Sequence, residues 1–247
     1  DNYVDFEDAD GGAGTIFFFS ETNGVSNNVT IENNTIVATA QADDANLIWT
    51  ITDSISGIII KNNRFGNSTD PIYGYGIRHS ASDSNTANFT IFNNSFFING
   101  TTQSSIVINQ PIANISQNTF GSSNFYTGSA IDGDFISSSI YNNTAYCNPS
   151  ASYCFILPDF NDTLIYDNLM YSNTSVAGIY AYTLNHDSTN LSIYNNTIYA
   201  DPDSTSYTIG IGSEGEGNYD ITNSHVYNNS INMYNATGST HDIFLGY

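Results

Sequence analysis

An internal repeat centred on asparagine constrains the fold of this chain more than any other sequence feature. Segments such as TIENNTI, TIFNNSF and SIYNNTI recur along the whole sequence. Aligned on the second asparagine of the pair, eight copies share that residue at intervals of 24 to 33 residues: Asn34, Asn63, Asn94, Asn118, Asn143, Asn168, Asn196 and Asn229. A period of this length predicts a solenoid in which each repeat is one coil.

The spacing within each repeat predicts a strand, a tight corner and a second strand. A β-branched residue stands three places before the aligned asparagine, as Ile31 does before Asn34, and an apolar residue such as Ile36 stands two places after it. Asparagine tolerates the left-handed backbone that a corner needs. Stacked coils would place these asparagines ~4.8 Å apart, within reach of hydrogen bonds along the stack. Simple strand alternation would turn the first asparagine of each pair inward.

Each period contains another short apolar segment about midway between the asparagine corners. Nine such segments occur: 16–19, 47–49, 73–77, 106–108, 130–131, 155–156, 179–182, 209–211 and 243–245. Three short strands in each period are typical of a parallel β-solenoid, and no stretch has helical periodicity with caps. The sequence therefore predicts an all-β parallel β-helix of about eight to nine rungs over residues 15–247, preceded by an extended acidic arm over residues 1–14.

The repeat resembles that of the right-handed parallel β-helix proteins of the pectate-lyase-like superfamily. The resemblance covers residues 15–247 and implies a right-handed, single-stranded coil with stacked Ile, Asn and Phe. The Asn-rich and Tyr-rich composition is similar to that of archaeal and environmental cell-surface β-helix proteins. Because this fold also occurs in lyases, hydrolases, tailspikes and adhesins, the resemblance alone does not decide the function.

The charge balance excludes several classes of partner. The chain has 24 acidic residues against 3 basic ones, for a net charge of −21. Binding to nucleic acid or to an anionic membrane surface requires lysine and arginine. No apolar run approaches the length of a membrane span, so we expect no membrane insertion.

Two features favour an extracellular location. Cys147 and Cys154 bracket a Pro-containing loop, and their spacing predicts a disulfide, with two buried thiols as the alternative. Fourteen Asn-X-Ser/Thr triplets are also present. Those just after the third strand of a coil or five residues before the pair should project from turns: Asn67, Asn99, Asn173, Asn235, Asn28, Asn88 and Asn190. Those on the first asparagine of a pair are doubtful if that side chain points inward: Asn33, Asn93, Asn142, Asn195 and Asn228.

Catalytic residues are hard to find in this sequence. By the resemblance, lyases of this fold use a basic residue, and this chain offers Lys61, Arg64 and Arg78 without the paired arginines of pectate lyases. By the same resemblance, hydrolases of this fold use clustered aspartates, for which the candidates are Asp43 with Asp44, Asp132 with Asp134, and Asp201 with Asp203. The polygalacturonase motifs are absent. We therefore expect no enzymatic activity and no cofactor, with at most a weak Ca²⁺ contact at residues 7–12 or at Asp132 with Asp134, where a bend is the alternative.

An aromatic column precedes the asparagine pairs. Its members are Phe92, Tyr141, Tyr166, Tyr194 and Tyr227. If these rings point outward, they could stack on a polysaccharide or on a neighbouring subunit. The alternative is the general preference of strand surfaces for tyrosine.

The two ends of the predicted solenoid suggest self-association. The apolar residues near them are Tyr3, Val4, Phe6, Ile243, Phe244 and Leu245. Two ends of the same cross-section favour head-to-tail stacking, with a truncated chain or a disordered N-terminus as the alternatives. The sequence thus predicts an extracellular, N-glycosylated structural protein that self-assembles into a filament or surface array. The alternatives are a carbohydrate-binding adhesin or tailspike-like module and, less favoured, a polysaccharide lyase or hydrolase.

Overall fold

The computed structural model describes most of the repeats but not several of the segments that connect them. The described residues are 2–6, 17–19, 26–38, 45–50, 55–69, 71–79, 87–99, 104–109, 112–125, 127–147, 153–173, 177–201, 207–213, 219–234 and 241–245. Within them the chain forms thirty β-strands and no helix.

The strands form three sheets, each of which takes one strand from each successive turn. The strands of the first sheet begin at the asparagine corners. Its nine strands, in spatial order, are β1 (Asn2–Phe6), β5 (Asn34–Ala38), β9 (Arg64–Phe65), β12 (Ser95–Phe96), β15 (Thr119–Phe120), β19 (Thr144–Cys147), β22 (Leu169–Asn173), β25 (Thr197–Asp201) and β29 (Ser230–Met233).

The second sheet contains the apolar segments that lie midway between corners. Its nine strands are β2 (Phe17–Phe19), β6 (Ala45–Thr50), β10 (Gly74–His79), β13 (Ser104–Ile108), β16 (Ser129–Asp132), β20 (Tyr153–Pro158), β23 (Ala177–Thr183), β26 (Tyr207–Ser213) and β30 (His241–Leu245).

The third sheet leads into the asparagine corners. Its ten strands are β4 (Thr30–Glu32), β8 (Ile58–Lys61), β11 (Asn88–Phe92), β14 (Ile112–Ser116), β18 (Ser139–Tyr141), β21 (Phe160–Tyr166), β24 (Ser188–Tyr194), β27 (Ile221–Thr222), β17 (Phe135–Ile136) beside β21, and β28 (His225–Tyr227) beside β24. A separate pair joins β3 (Ser26–Asn27) to β7 (Ile55–Ser56).

All pairings between these strands are parallel, and the chain visits the three sheets in turn. β8, β9 and β10 follow one another in sequence and belong to the third, first and second sheets, and the next three strands repeat this order. Each strand pairs with its counterpart one turn away, as in Ile60↔Ile91 and Phe65↔Phe96. The predicted all-β parallel β-solenoid is confirmed.

The core consists of apolar columns that run along the solenoid. The isoleucines three places before the aligned asparagines of the repeat are buried and form one column. The residues two places after these asparagines form a second column. In that second column Phe96 stacks on Phe65 and on Phe120, with ring centroids 4.8 and 5.1 Å apart. Repetition of the sequence therefore places like residues on like residues, which gives a continuous interior from short strands.

The predicted N-terminal arm is only partly described, and the described part belongs to the solenoid. Asn2–Phe6 pairs in parallel with β5, in the register Asn2↔Asn34 and Val4↔Ile36. Residues 2–6 are therefore the first strand of the first sheet and not an arm separate from it. Residues 7–14, including the acidic stretch considered for Ca²⁺, lie outside the described residues.

Candidate functional site

The eight repeat asparagines form one hydrogen-bonded column. Each interior amide oxygen accepts two bonds from the preceding rung, as Asn94 Oδ1 does from the backbone N–H of Asn63 at 2.9 Å and from its Nδ2 at 3.0 Å. Asn94 Nδ2 in turn donates to Asn118 Oδ1 at 3.0 Å and to the Ile60 carbonyl at 2.9 Å. These buried amides thus have partners for both their donor and their acceptor atoms.

A ninth member precedes the eight that the repeat identifies. Asn2 Nδ2 donates to Asn34 Oδ1 at 3.0 Å, in the direction that every later member follows. The signal in the sequence is Asp1-Asn2-Tyr3-Val4, which matches the repeat except that tyrosine replaces the usual Ser or Thr.

The first residue of each pair forms an exposed corner, which corrects the expectation that it points inward. The eight corner residues have φ between 53° and 58° and are exposed: Asn33, Asn62, Asn93, Gln117, Asn142, Asp167, Asn195 and Asn228. A left-handed residue interrupts the alternation of a strand, so the corner side chain points to solvent and the next one points inward.

The other predicted glycosylation sites differ in exposure. Asn28, Asn88 and Asn190 are exposed, whereas Asn67 and Asn99 are half-buried. Asn67 Oδ1 accepts bonds from the backbone and the hydroxyl of its own Thr69, at 2.8 and 2.6 Å. Asn235 and the side chain of Asn173 lie outside the described residues.

The predicted aromatic column is a ladder of four tyrosines. Tyr141, Tyr166, Tyr194 and Tyr227 stack with centroids 4.9, 5.0 and 5.0 Å apart and ring planes within 3° of parallel. Ser116 separates Phe92 from this ladder by one rung. Because the rings cover one another's faces, the ladder presents mainly ring edges and hydroxyls to solvent.

A second tyrosine ladder lies on the opposite side of the corner. Tyr146, Tyr171, Tyr199 and Tyr234 stack at 4.7, 5.1 and 6.0 Å. This ladder was not predicted from the sequence, although its first three members stand three places after Asn143, Asn168 and Asn196. Burial raises the pKa of Tyr166, Tyr171 and Tyr194, and neighbouring tyrosines act in the same direction.

Cys147 and Cys154 form the predicted disulfide. Their Cα atoms are 5.5 Å apart, and both residues are buried. The bond joins β19 of the first sheet to β20 of the second sheet within one turn. A disulfide of this kind is typical of an oxidising compartment.

An acidic cleft of about 240 Å³ is the best candidate for chemistry on the side of the solenoid. Its lining comprises Asp134, Phe135, Ile136, Asp159, Phe160, Asn161 and His186. The structure thus brings Asp134, one member of a predicted aspartate pair, together with Asp159 and His186, which the sequence did not connect with it. The signal that could have found Asp159 is its spacing, since it stands 25 residues after Asp134, one turn further on, where Phe135 pairs with Phe160.

Backbone geometry holds the acidic groups of this cleft in place. Gly133 has φ of 153°, and a Cβ there would collide with the Ile108 carbonyl oxygen, so no larger residue fits between Asp132 and Asp134. Asp159 is buried, and its carboxylate accepts backbone N–H bonds from Leu184 at 2.8 Å and Asn185 at 3.1 Å.

The electrostatics of the cleft keep one carboxyl protonated close to neutral pH. Burial raises the pKa of Asp134 to about 7, and the charges of Asp159 and Asp132 add to this effect. Burial also raises the pKa of Asp132, against the effect of a hydrogen bond from Ser104. His186 Nδ1 lies 3.7 Å from Asp159 Oδ2. A neutral acid beside fixed carboxylates can donate a proton, which is the arrangement of general acid catalysis.

The other catalytic candidates do not line this cleft. Lys61 pairs with Glu32 at 2.7 Å, whereas Arg64 and Arg78 lie over the rings of Phe97 and Tyr75. Asp43, Asp44 and Asp203 are outside the described residues, as is the side chain of Asp201.

The last described turn exposes residues that are buried in earlier turns. Val226 and Ile231 are half-buried, whereas their counterparts Ile193 and Ile198 are fully buried. Ile243 is 44% exposed and Leu245 62%, and Phe244 is half-buried beside them. At the other end Tyr3 is 69% exposed, and the side chains of Val4 and Phe6 are not described.

Comparisons with family models, with curated proteins and with solved structures gave no match for this chain. Among the described residues, no helix is long and apolar enough to cross a membrane. The same residues contain no group of three His, Cys, Asp or Glu side chains arranged to hold a metal ion.

Proposed function

We propose that this chain is an extracellular, N-glycosylated structural protein that assembles head to tail into a filament or surface array. The direction of the asparagine ladder carries the proposal. Every member from Asn2 to Asn196 donates its amide toward the C-terminal end of the solenoid. The ladder therefore has an acceptor end at Asn2 and a donor end at Asn229.

These two ends are complementary to each other. Asn229 Nδ2 donates to the Ile193 and Tyr227 carbonyls, and no amide oxygen among the described residues takes the place that the next ladder member would occupy. Asn2 Oδ1 likewise accepts no hydrogen bond from the described residues. A second copy that placed its Asn2 over Asn229 would continue the ladder, and a chain segment of any other origin would need the same acceptor there.

The three sheets fit the same arrangement. In such a stack, β1 of one copy would follow β29 of the next, β2 would follow β30, and β4 would follow β28. The half-buried Val226 and Ile231 and the exposed Ile243 and Leu245 would then lose contact with water. Burial of these side chains would favour association, and parallel pairing would satisfy the edge backbone groups.

The disulfide and the exposed Asn-X-Ser/Thr corners support the extracellular part of the proposal. A right-handed coil, a relationship to the pectate-lyase-like superfamily and an archaeal or environmental cell-surface origin belong to the same proposal. They are supported by the repeat, which is typical of such proteins.

Electron microscopy of the purified chain tests the assembly. We expect filaments with an axial repeat near 43 Å, from nine rungs at about 4.8 Å each. Asn229→Asp replaces the donor with a carboxylate facing Asn2 Oδ1 and should abolish filaments. Asn223→Asp changes another asparagine of the same turn, an exposed left-handed one, and should leave filaments intact. Dispersed rods at every concentration, or equal assembly by both variants, would contradict the proposal.

Acid–base cleavage of a polysaccharide is the second candidate function, favoured by the acidic cleft. Protonated Asp134 would act as the acid, so turnover should fall as the pH rises through about 7. The assay is release of reducing ends from a panel of neutral and uronate polymers. Asp134→Asn should abolish release and Asp220→Asn, at an exposed site, should not. Absence of release from every polymer would exclude this function.

Carbohydrate binding without cleavage remains the alternative for the tyrosine ladders. Since the ring faces of Tyr166 and Tyr194 cover each other, a glycan would contact ring edges and hydroxyls. A glycan array on wild type and Tyr166→Phe tests this, because the variant keeps the ring and loses the hydroxyl. Binding unchanged in the variant would exclude the ladder as the site.

A further inference from the structure

We propose that the corner asparagines Asn33, Asn93, Asn142 and Asn195 carry N-linked glycans, so that sugars project from every second rung along one edge of the solenoid. This inference deepens the glycoprotein part of the proposed function and rests on it. It does not depend on head-to-tail assembly.

Acceptor triplets alternate along the corner column. Asn33, Asn93, Asn142 and Asn195 each begin an Asn-Asn-Ser/Thr triplet. The three rungs between them lack it for different reasons. Asn62 is followed by Arg64 in the third place, and the other two corners are Gln117 and Asp167. All seven corners have the same left-handed conformation and are exposed, so geometry alone does not distinguish them.

Each acceptor corner can be modified without disturbing the fold. The middle residue of the triplet is the buried ladder asparagine, whose side chain points away from the corner. The third residue, for example Thr144, is half-buried. A glycan on Asn142 would therefore leave the ladder bonds of Asn143 in place.

Contact between neighbouring corners explains why every second rung would be used. Asn93 Nδ2 donates to Asn62 Oδ1 at 2.8 Å, so side chains on adjacent rungs touch. Branched sugars on adjacent corners would start within contact of each other, whereas sugars two rungs apart start about 10 Å apart.

The corner is also flanked by aromatic groups that could pack against the first sugar. Tyr141 precedes Asn142 and belongs to one tyrosine ladder, and Tyr146 belongs to the other. The apolar faces of a sugar pack favourably against aromatic groups. Glycans here would cover the tyrosine surface and leave the ends of the solenoid free.

One pair of corners breaks the alternation and gives an internal test. Asn195 and Asn228 are on adjacent rungs, and both begin acceptor triplets. By the same argument, a molecule that carries a glycan on Asn195 should have none on Asn228.

The experiment is glycopeptide mass spectrometry of the full chain secreted from insect cells, with enzymatic deglycosylation in heavy-oxygen water to mark each occupied asparagine. We expect occupancy at Asn33, Asn93, Asn142 and Asn195. Unmodified corners beside occupied Asn28, Asn88 or Asn190 would overturn the inference while leaving the glycoprotein proposal standing. A chain without any glycan would overturn both, and filament formation is scored separately by microscopy.

Two variants test the spacing. Gln117→Asn completes an acceptor triplet with Asn118 and Thr119, on a rung between Asn93 and Asn142. Its use should lower occupancy at those neighbours, so the number of glycans on this edge of the secreted protein should not rise. Asp167→Asn adds a corner asparagine without a triplet and should change nothing. Secreted Gln117→Asn protein with sugars on three successive rungs would overturn the spacing argument.

Discussion

Replacing Asp134 with asparagine should stabilise the folded chain above neutral pH. Burial raises the pKa of this carboxyl from 3.8 to about 7, with the charges of Asp159 and Asp132 acting in the same direction. Between these values the folded state keeps a proton that the unfolded state has lost, so stability falls as the pH rises from about 4 to about 7. At about 1.4 kcal/mol per pKa unit, the ionised carboxylate costs up to about 4 kcal/mol above pH 7. Asparagine resembles the neutral acid and avoids this cost.

Urea unfolding followed by circular dichroism at pH 4 and pH 8 measures the effect. We expect Asp134→Asn to match wild type at pH 4 and to exceed its free energy of unfolding by about 2–4 kcal/mol at pH 8. Asp220→Asn removes a charge from an exposed site of a later turn and should match wild type at both pH values. Wild type and Asp134→Asn differing equally at the two pH values would refute the reasoning, because the effect would then not depend on ionisation.

The ladders and the close approach at Gly133 support three further predictions. Asn143→Ala in the middle of the asparagine ladder removes the acceptor of two bonds and should lower stability by about 3 kcal/mol in thermal unfolding. Asn229→Ala at the last described rung should cost less, and equal losses would contradict a cooperative ladder. Gly133→Ala places a Cβ against the carbonyl oxygen of Ile108 and should cost more than about 3 kcal/mol, so a variant as stable as wild type would contradict this close approach. The raised pKa of Tyr166 means that the stabilising neutral ladder is fully present below pH 10 and is lost as the pH rises above it. Tyr166→Phe should lessen this alkaline loss in unfolding measurements, and an unchanged loss would contradict the assignment.

The repeat predicted the interior because the constraint on each buried position is local and recurs in every turn. The ladder asparagine needs an amide above and below it, and Ile60 or Phe96 needs an apolar residue one turn away. Any sequence that meets these needs at a regular interval specifies the stack. Asn2 was not predicted as a ladder member because Tyr3 stands where the repeat usually has Ser or Thr, and because an acidic, glycine-rich stretch follows shortly after.

The orientation of the corner was not predictable by counting along a strand. Alternation assumes extended residues, and a single left-handed residue such as Asn142 reverses the direction of the side chains around it. The acidic cleft could not be predicted from the sequence, for a different reason. Asp134 and Asp159 are 25 residues apart, so the repeat places them one turn apart beside the pair Phe135↔Phe160, but no motif that recurs in every turn marks either aspartate.

The acidic cleft is the place where this chain departs from the arrangement that stabilises the rest of it. Along the asparagine column every buried polar group is paired, whereas at Asp134 burial and like charges act together against ionisation. The backbone at Gly133 departs as well, with φ of 153° against 53–58° at the corner residues. A buried carboxyl among like charges lowers stability, whereas a rung whose polar groups are all hydrogen-bonded does not. Unfavourable local energies of this kind concentrate at functional positions. The stability of Asp134→Asn at pH 8 and its activity on polysaccharides therefore test one argument together. A variant that is more stable and inactive would identify the cleft as a catalytic site, and a variant that is more stable in a chain that cleaves nothing would leave the ends and the corners as the functional surfaces.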